Sequence, residues 1–255
     1  MSRFVNLEFD GQFESEQESS VRDESFYVRE ARAAYETSDF EKALRYYSKV
    51  LEFNPQNAGA WTGQVRALIE LGEFREAKLW ADKALERFPR EPELLAAKAV
   101  ALGRTGELDA ALAFSDAAIE ERGDTPYIWL ARGDVLLARE ERRADYCFDK
   151  ALQVGPRDWF IAWLGARIRY FYRQFALALK LAQRAVEWNP SHCTAWAMLG
   201  SCQKELGMAS PSRVSFSQAL QLNPRCAEAL KGMADLSRIG LGSQILGWWR
   251  SLFQR

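Results

Sequence analysis

One histidine, His192, serves the whole chain of 255 residues, and only four cysteines accompany it. Scarcity of histidine removes the commonest general base, and an activated nucleophile needs a base that is itself held by an orienting group. No Gly-x-Gly-x-x-Gly, no Walker-type phosphate loop and no Gly-x-Ser-x-Gly occurs, so the usual cradles for nucleotides and acyl chemistry are missing. His192 and Cys193 are neighbours, yet zinc would need further ligands at set spacings and none follow. No metal and no cofactor is expected. The cysteines (Cys147, Cys193, Cys202, Cys226) form no C-x-x-C pair, which fits buried, reduced thiols in a cytoplasmic protein.

Charge of one sign is lacking too. Thirty-four Lys and Arg against 35 Asp and Glu leave a formal net charge of −1, which gives no global pull toward nucleic acid or lipid. No apolar run approaches the roughly 20 residues that a bilayer requires. Arg3, Asn6, Glu8 and Asp10 leave no room near the amino terminus for the apolar core of a secretory signal.

What is present is repetition. Pro55 precedes Pro89 by 34 residues, and Pro156, Pro190 and Pro224 continue at the same interval. Placing each proline at position 32 divides the chain into 24–57, 58–91, 92–125, 126–158, 159–192 and 193–226. Position 20 then holds Ala43, Ala77, Ala111, Ala144, Ala178 and Ser212, and position 27 holds Val50, Ala84, Ala118, Ala151, Ala185 and Ala219. Position 8 is small or β-branched throughout: Ala31, Val65, Ala99, Gly133, Ala166, Gly200. Such places mark close helix approach, where a larger side chain would force neighbours apart. Position 4 carries a large plug in Tyr27, Trp61, Leu95, Trp129 and Trp196. Gly123 replaces proline in the third unit and still ends a helix. The fourth unit is one residue short near Arg139 to Arg143. In the fifth, Ala162 takes the plug position with Trp163 beside it, so a rotated or offset first helix is expected there.

This pattern resembles the tetratricopeptide repeat, whose 34-residue helix–turn–helix unit opens on W-x-x-L-G and closes on a late A and P, as Trp196, Leu199, Gly200, Ala219 and Pro224 do here. The resemblance covers residues 24–226 and implies an all-α, right-handed solenoid of about six units. Residues 227–238 would be a capping helix, with Ala227, Leu230, Ala234 and Ser237 inward and Glu228, Lys231, Asp235 and Arg238 outward.

The resemblance further implies a non-catalytic scaffold whose first helices line a concave groove for a partner segment. Carried over by position, the groove residues include Arg32, Tyr35, Arg66, Arg104, Tyr127, Phe160, Trp163, Arg167, Tyr170, Phe171 and Lys204. No first helix contains an asparagine, so the carboxylate clamp of chaperone-binding relatives is unsupported. Arginines and aromatics concentrate in the fifth unit, where Arg167, Arg169, Arg173, Lys180 and Arg184 face the single acid Glu187. Such residues dominate interface energetics and suit an extended or helical partner with acidic and apolar residues. Arg167 and Tyr170 are the leading candidates, with Trp163 either an anchor or core. A single-stranded RNA surface ranks below protein because the basic run is short.

Two tails flank the repeats. Residues 1–23 are acidic and polar, as a disordered segment would be, with a short apolar patch (Phe4, Val5, Leu7, Phe9, Phe13) that fits either a linear motif or a lid over the groove. After a glycine-containing linker, Ile245, Trp248, Trp249, Leu252 and Phe253 would share one face of a helix. Three readings of that face stay open: packing back on the repeats, association with another protein or a second copy, and resting on a membrane surface.

Overall fold

The computed structural model describes residues 22–121 and 124–238. Gly123, most of the acidic amino-terminal tail, and the segment from residue 239 with Ile245, Trp248, Trp249, Leu252 and Phe253 lie outside the described residues. Among the described residues every regular element is a helix. In order they are α1 (Glu24–Glu36), α2 (Phe40–Phe53), α3 (Ala58–Glu70), α4 (Phe74–Arg87), α5 (Pro92–Thr105) and α6 (Leu108–Glu120). Then come α7 (Pro126–Ala138), α8 (Ala144–Val154), α9 (Trp159–Phe171), α10 (Phe175–Trp188), α11 (Cys193–Glu205) and α12 (Ala209–Leu222), and α13 at residues 227–238. The chain divides into two compact units between Val154 and Gly155, with α1–α8 in the first and α9–α13 in the second.

Local chemistry sets the helix ends. The carboxylates of Asp23, Asp39 and Asp158 and the amide oxygen of Asn57 each accept a backbone N–H of the first turn that follows, satisfying donors that a helix start leaves unpaired. Pro92 and Pro126 open α5 and α7, where a missing N–H costs nothing. Each inner turn holds one residue in the left-handed region: Ser38, Gly72, Gly106, Glu140, Arg173 and Gly207. All six fall at position 15. Three are not glycine, so composition alone marks only half of these turns.

The small-residue positions close the stacks. Ala43, Ala77, Ala111, Ala178, Ala84, Ala118, Ala151, Ala185 and Ala219 are all fully buried. In the first unit α5 packs on α3, α4, α6 and α7, with Leu102 and Val135 among the side chains between them. Aromatic rings of second helices press on the next hairpin's first helix. A Cβ at Gly63 would lie 2.4 Å from the Tyr47 ring, and one at Gly232 would lie 2.2 Å from Phe216.

In the second unit α9 begins at position 1, like α7 and α11, rather than offset. Ala162 and Trp163 are both fully buried, so Trp163 is core. The capping helix is rotated from the expected orientation. Ala229, Gly232 and Leu236 face inward, whereas Ala227, Leu230, Ala234 and Ser237 are exposed. Gly232 decides this, because only a residue without a side chain can meet Phe216 at that distance.

Candidate partner-binding site

Within the first unit, the first helices α1, α3, α5 and α7 bring together Tyr35, Arg66, Glu93 and Tyr127. The Arg66 guanidinium lies 3.8 Å from the Tyr127 ring centroid and 5.4 Å from that of Tyr35, close enough for cation–π attraction to both. Its side chain is 16% exposed, and the Glu93 carboxylate stands at 3.9 Å, beyond hydrogen-bond reach. Arg66 Nε is buried and has no hydrogen-bond partner among the described residues. Glu93 is already engaged, its other oxygen accepting from Thr125 at 2.8 Å. Burial works against the charge on Arg66, but the phenols of Tyr35 and Tyr127 and the Glu93 carboxylate outweigh it and hold the guanidinium above its ordinary pKa. Burial likewise pushes the Tyr127 phenol up, so the ring stays neutral. This is a cation walled by aromatic rings, with one donor, Nε, unpaired among the described residues.

Next to it, Arg104 of α5 donates from Nη2 to Asp134 Oδ2 of α7 at 2.6 Å, and from Nε to Oδ1 at 3.3 Å. The two side chains are 7% and 1% exposed. The sequence places Arg104 in the groove as a contact for a partner; the structure spends it on Asp134. Arg32 is exposed and pairs with Glu36 at 3.0 Å on its own helix.

The residues singled out in the fifth repeat are brought together in the second unit, but their polar groups are occupied. Arg167 pairs with Glu228 of α13 at 2.7 Å and lies 5.0 Å from the Trp163 ring centroid. Tyr170 donates to Glu205 at 3.1 Å; burial first, and then Glu205, raises its pKa. Lys204 is 3.0 Å from Asp235 of α13 and 3.6 Å from Glu205. Glu228 and Asp235, expected on the outer face of the cap, neutralise the cationic cluster instead. Phe160 stacks on Trp163 at 5.4 Å and Phe171 remains exposed. His192 stacks on Trp159 with centroids 4.0 Å apart, and its Nδ1 lies 2.8 Å from Thr194 Oγ1.

Glu93 stands among the groove positions carried over from the sequence, whereas Glu228 and Asp235, read there as wetting the outer face of the cap, are the charged partners that sequence reading misplaced. A signal existed for some: Arg104–Asp134, Lys204–Asp235 and Arg139–Asp109 are 30 or 31 residues apart, just short of one repeat. That interval sets residues of successive repeats side by side.

Residues 34–101 match the family model of the tetratricopeptide repeat. A segment of 117 residues, 44% of this chain, is 35% identical to the protein CTR9 homolog of Arabidopsis thaliana and spans about a tenth of that protein. Among solved structures, TTC0263, a thermophilic TPR protein from Thermus thermophilus, overlaps 71% of this chain and 99% of its own at a TM-score of 0.55 and 22% identity. YrrB, a TPR protein with an unusual peptide-binding site, overlaps 74% of this chain and 97% of its own, but its TM-score of 0.43 at 17% identity is too loose to support inference. With the repeat signature matched over residues 34–101 and its helical hairpins shared with a solved member of that family, the chain has the tetratricopeptide-repeat fold.

Proposed function

We propose that the protein is a non-catalytic scaffold that holds a partner protein, and that it grips an acidic segment of that partner at Arg66. Support comes from one observation above the rest: a guanidinium set between Tyr35 and Tyr127 whose buried Nε has no acceptor among the described residues. A carboxylate or peptide carbonyl delivered there gains a charge-assisted hydrogen bond in a site already stripped of much of its water. Tyr35 and Tyr127 offer apolar contact beside it. The reading moves the leading contact from Arg167 and Tyr170 to the first unit, because a ligand at the fifth repeat would first have to displace Glu228 or Glu205. Among the described residues no helix is long and apolar enough to cross a membrane.

The test is binding of the full chain to a panel of short synthetic peptides graded in acid content. Arg66→Met keeps most of the apolar stem and should weaken acidic-peptide binding by more than about 2 kcal/mol, as truncation of an interface anchor does. Arg167→Met should leave it unchanged. Equal affinity of the Arg66 variant and the parent would reject the assignment.

A further inference from the structure

The exposed side of α13 repeats a surface that the earlier hairpins cover wholly or in part. Leu230 and Ala234 occupy positions 4 and 8 of the repeat frame. In the earlier hairpins position 8 is buried, as at Ala31, Val65, Ala99 and Ala166, and position 4 is buried at Trp61 and Leu95 and partly buried at Tyr27, Trp129 and Trp196. Here Leu230 is 50% exposed and Ala234 is open. An apolar stripe of that kind is built to be covered.

We propose that residues 243–255 cover it as the second helix of a seventh hairpin, with Trp249 seated on Leu230. Register supports this occupant. The second helices α2, α4, α10 and α12 all begin at position 17 and end at position 30, and in the seventh frame position 17 is Ser243. Gly240 and Gly242 fall at positions 14 and 16 of the inner turn, on either side of Leu241 at position 15, a place that Ser38, Glu140 and Arg173 show to be open to residues other than glycine. Ring contacts fix the pairing. Tyr27 meets Tyr46 at 5.9 Å and Trp61 meets Trp80 at 5.9 Å, each pair joining position 4 to the residue 19 further on. Counting 19 from Leu230 gives Trp249.

One substitution says what lies beyond such a hairpin. Position 24 holds the rings that reach the next hairpin, Tyr47 toward Gly63 and Phe216 toward Gly232. In the seventh frame it is Arg250, which suits a face left to water rather than one that receives another first helix. The same placement takes Trp249 out of contention as a membrane anchor.

A double-mutant cycle in the full chain tests the seat. Leu230→Ser, Trp249→Ser and the double variant are compared by urea unfolding, and Leu230 is exposed enough that its replacement leaves the described packing intact. The two single effects should be non-additive, with a coupling of about tenfold in the unfolding equilibrium. Additive effects overturn the proposal. So does a dimer by light scattering that Trp249→Ser dissociates, which would assign the segment to a second copy. Co-sedimentation with anionic phospholipid vesicles, lost in Trp249→Ser, would also overturn it.

Discussion

Phe216→Ala should lower the stability of the second unit by about 3–5 kcal/mol, the range for emptying a large aromatic site in a core. The ring is fully buried among Cys193, Ala197, Ala219, Cys226, Ala229 and Leu236. A Cβ added at Gly200 would approach it to 2.8 Å and one at Gly232 to 2.2 Å. α11 and α13 therefore both meet on this one side chain. Neither glycine can extend into the vacated space, so the site collapses poorly and the cost falls at the upper end. Urea unfolding would give the loss, and amide exchange should locate it in α11 and α13. Gly232→Ala acts in the opposite sense, by overfilling, and should cost about 1–3 kcal/mol. In a Phe216→Leu background that penalty should shrink, because the smaller side chain frees room for the added methyl. If the penalties simply summed, Phe216 and Gly232 would not share a slot.

The helical hairpins were legible because their signals are local and recur. A proline in five of the six units and an alanine in five of six at each of two fixed positions survive any single departure, such as the short fourth unit. Orientation of the cap was not legible. Its stripe of Ala227, Leu230 and Ala234 looks as apolar as the stripe of Cys226, Ala229 and Leu236. The choice between them rests on the shape of the slot at Phe216, which lies on another helix. Trp163 raised the same difficulty, since adjacent positions on a helix can both be buried when neighbours pack from two sides. The fifth repeat misled for an electrostatic reason. Counting charges within residues 159–190 gives one acid, but the acids that matter, Glu205 and Glu228, sit in later elements. Arg66 stood in the predicted groove from the start, yet only coordinates place Tyr35 and Tyr127 on its two sides and leave its Nε unpaired among the described residues.

Asp134→Ala should cost the first unit about 3–5 kcal/mol, because it strands the Arg104 guanidinium in a nearly closed site. The loss would exceed anything expected of Arg32–Glu36, whose arginine is largely in water and whose net worth is about 0–1 kcal/mol. Asp134 has no room to be replaced by solvent: its side chain is 1% exposed and its oxygens accept both Arg104 donors. Removing the pair as a unit is a different experiment. Arg104→Met with Asp134→Leu fills similar volume without burying charge, and such exchanges are often neutral or stabilising. Thermal and urea unfolding of the parent, the single variant and the double variant would separate the two cases. A single variant as stable as the parent would mean that water reaches Arg104 and that the pair is not sealed. Binding adds a second readout, since Asp134 also lies within the electrostatic surroundings of Tyr127. The uncompensated charge of Asp134→Ala should draw acidic peptides toward α5 and α7 and weaken the dependence on Arg66. In the double variant, where no stray cation is left, Arg66→Met should cost as much affinity as it does in the parent.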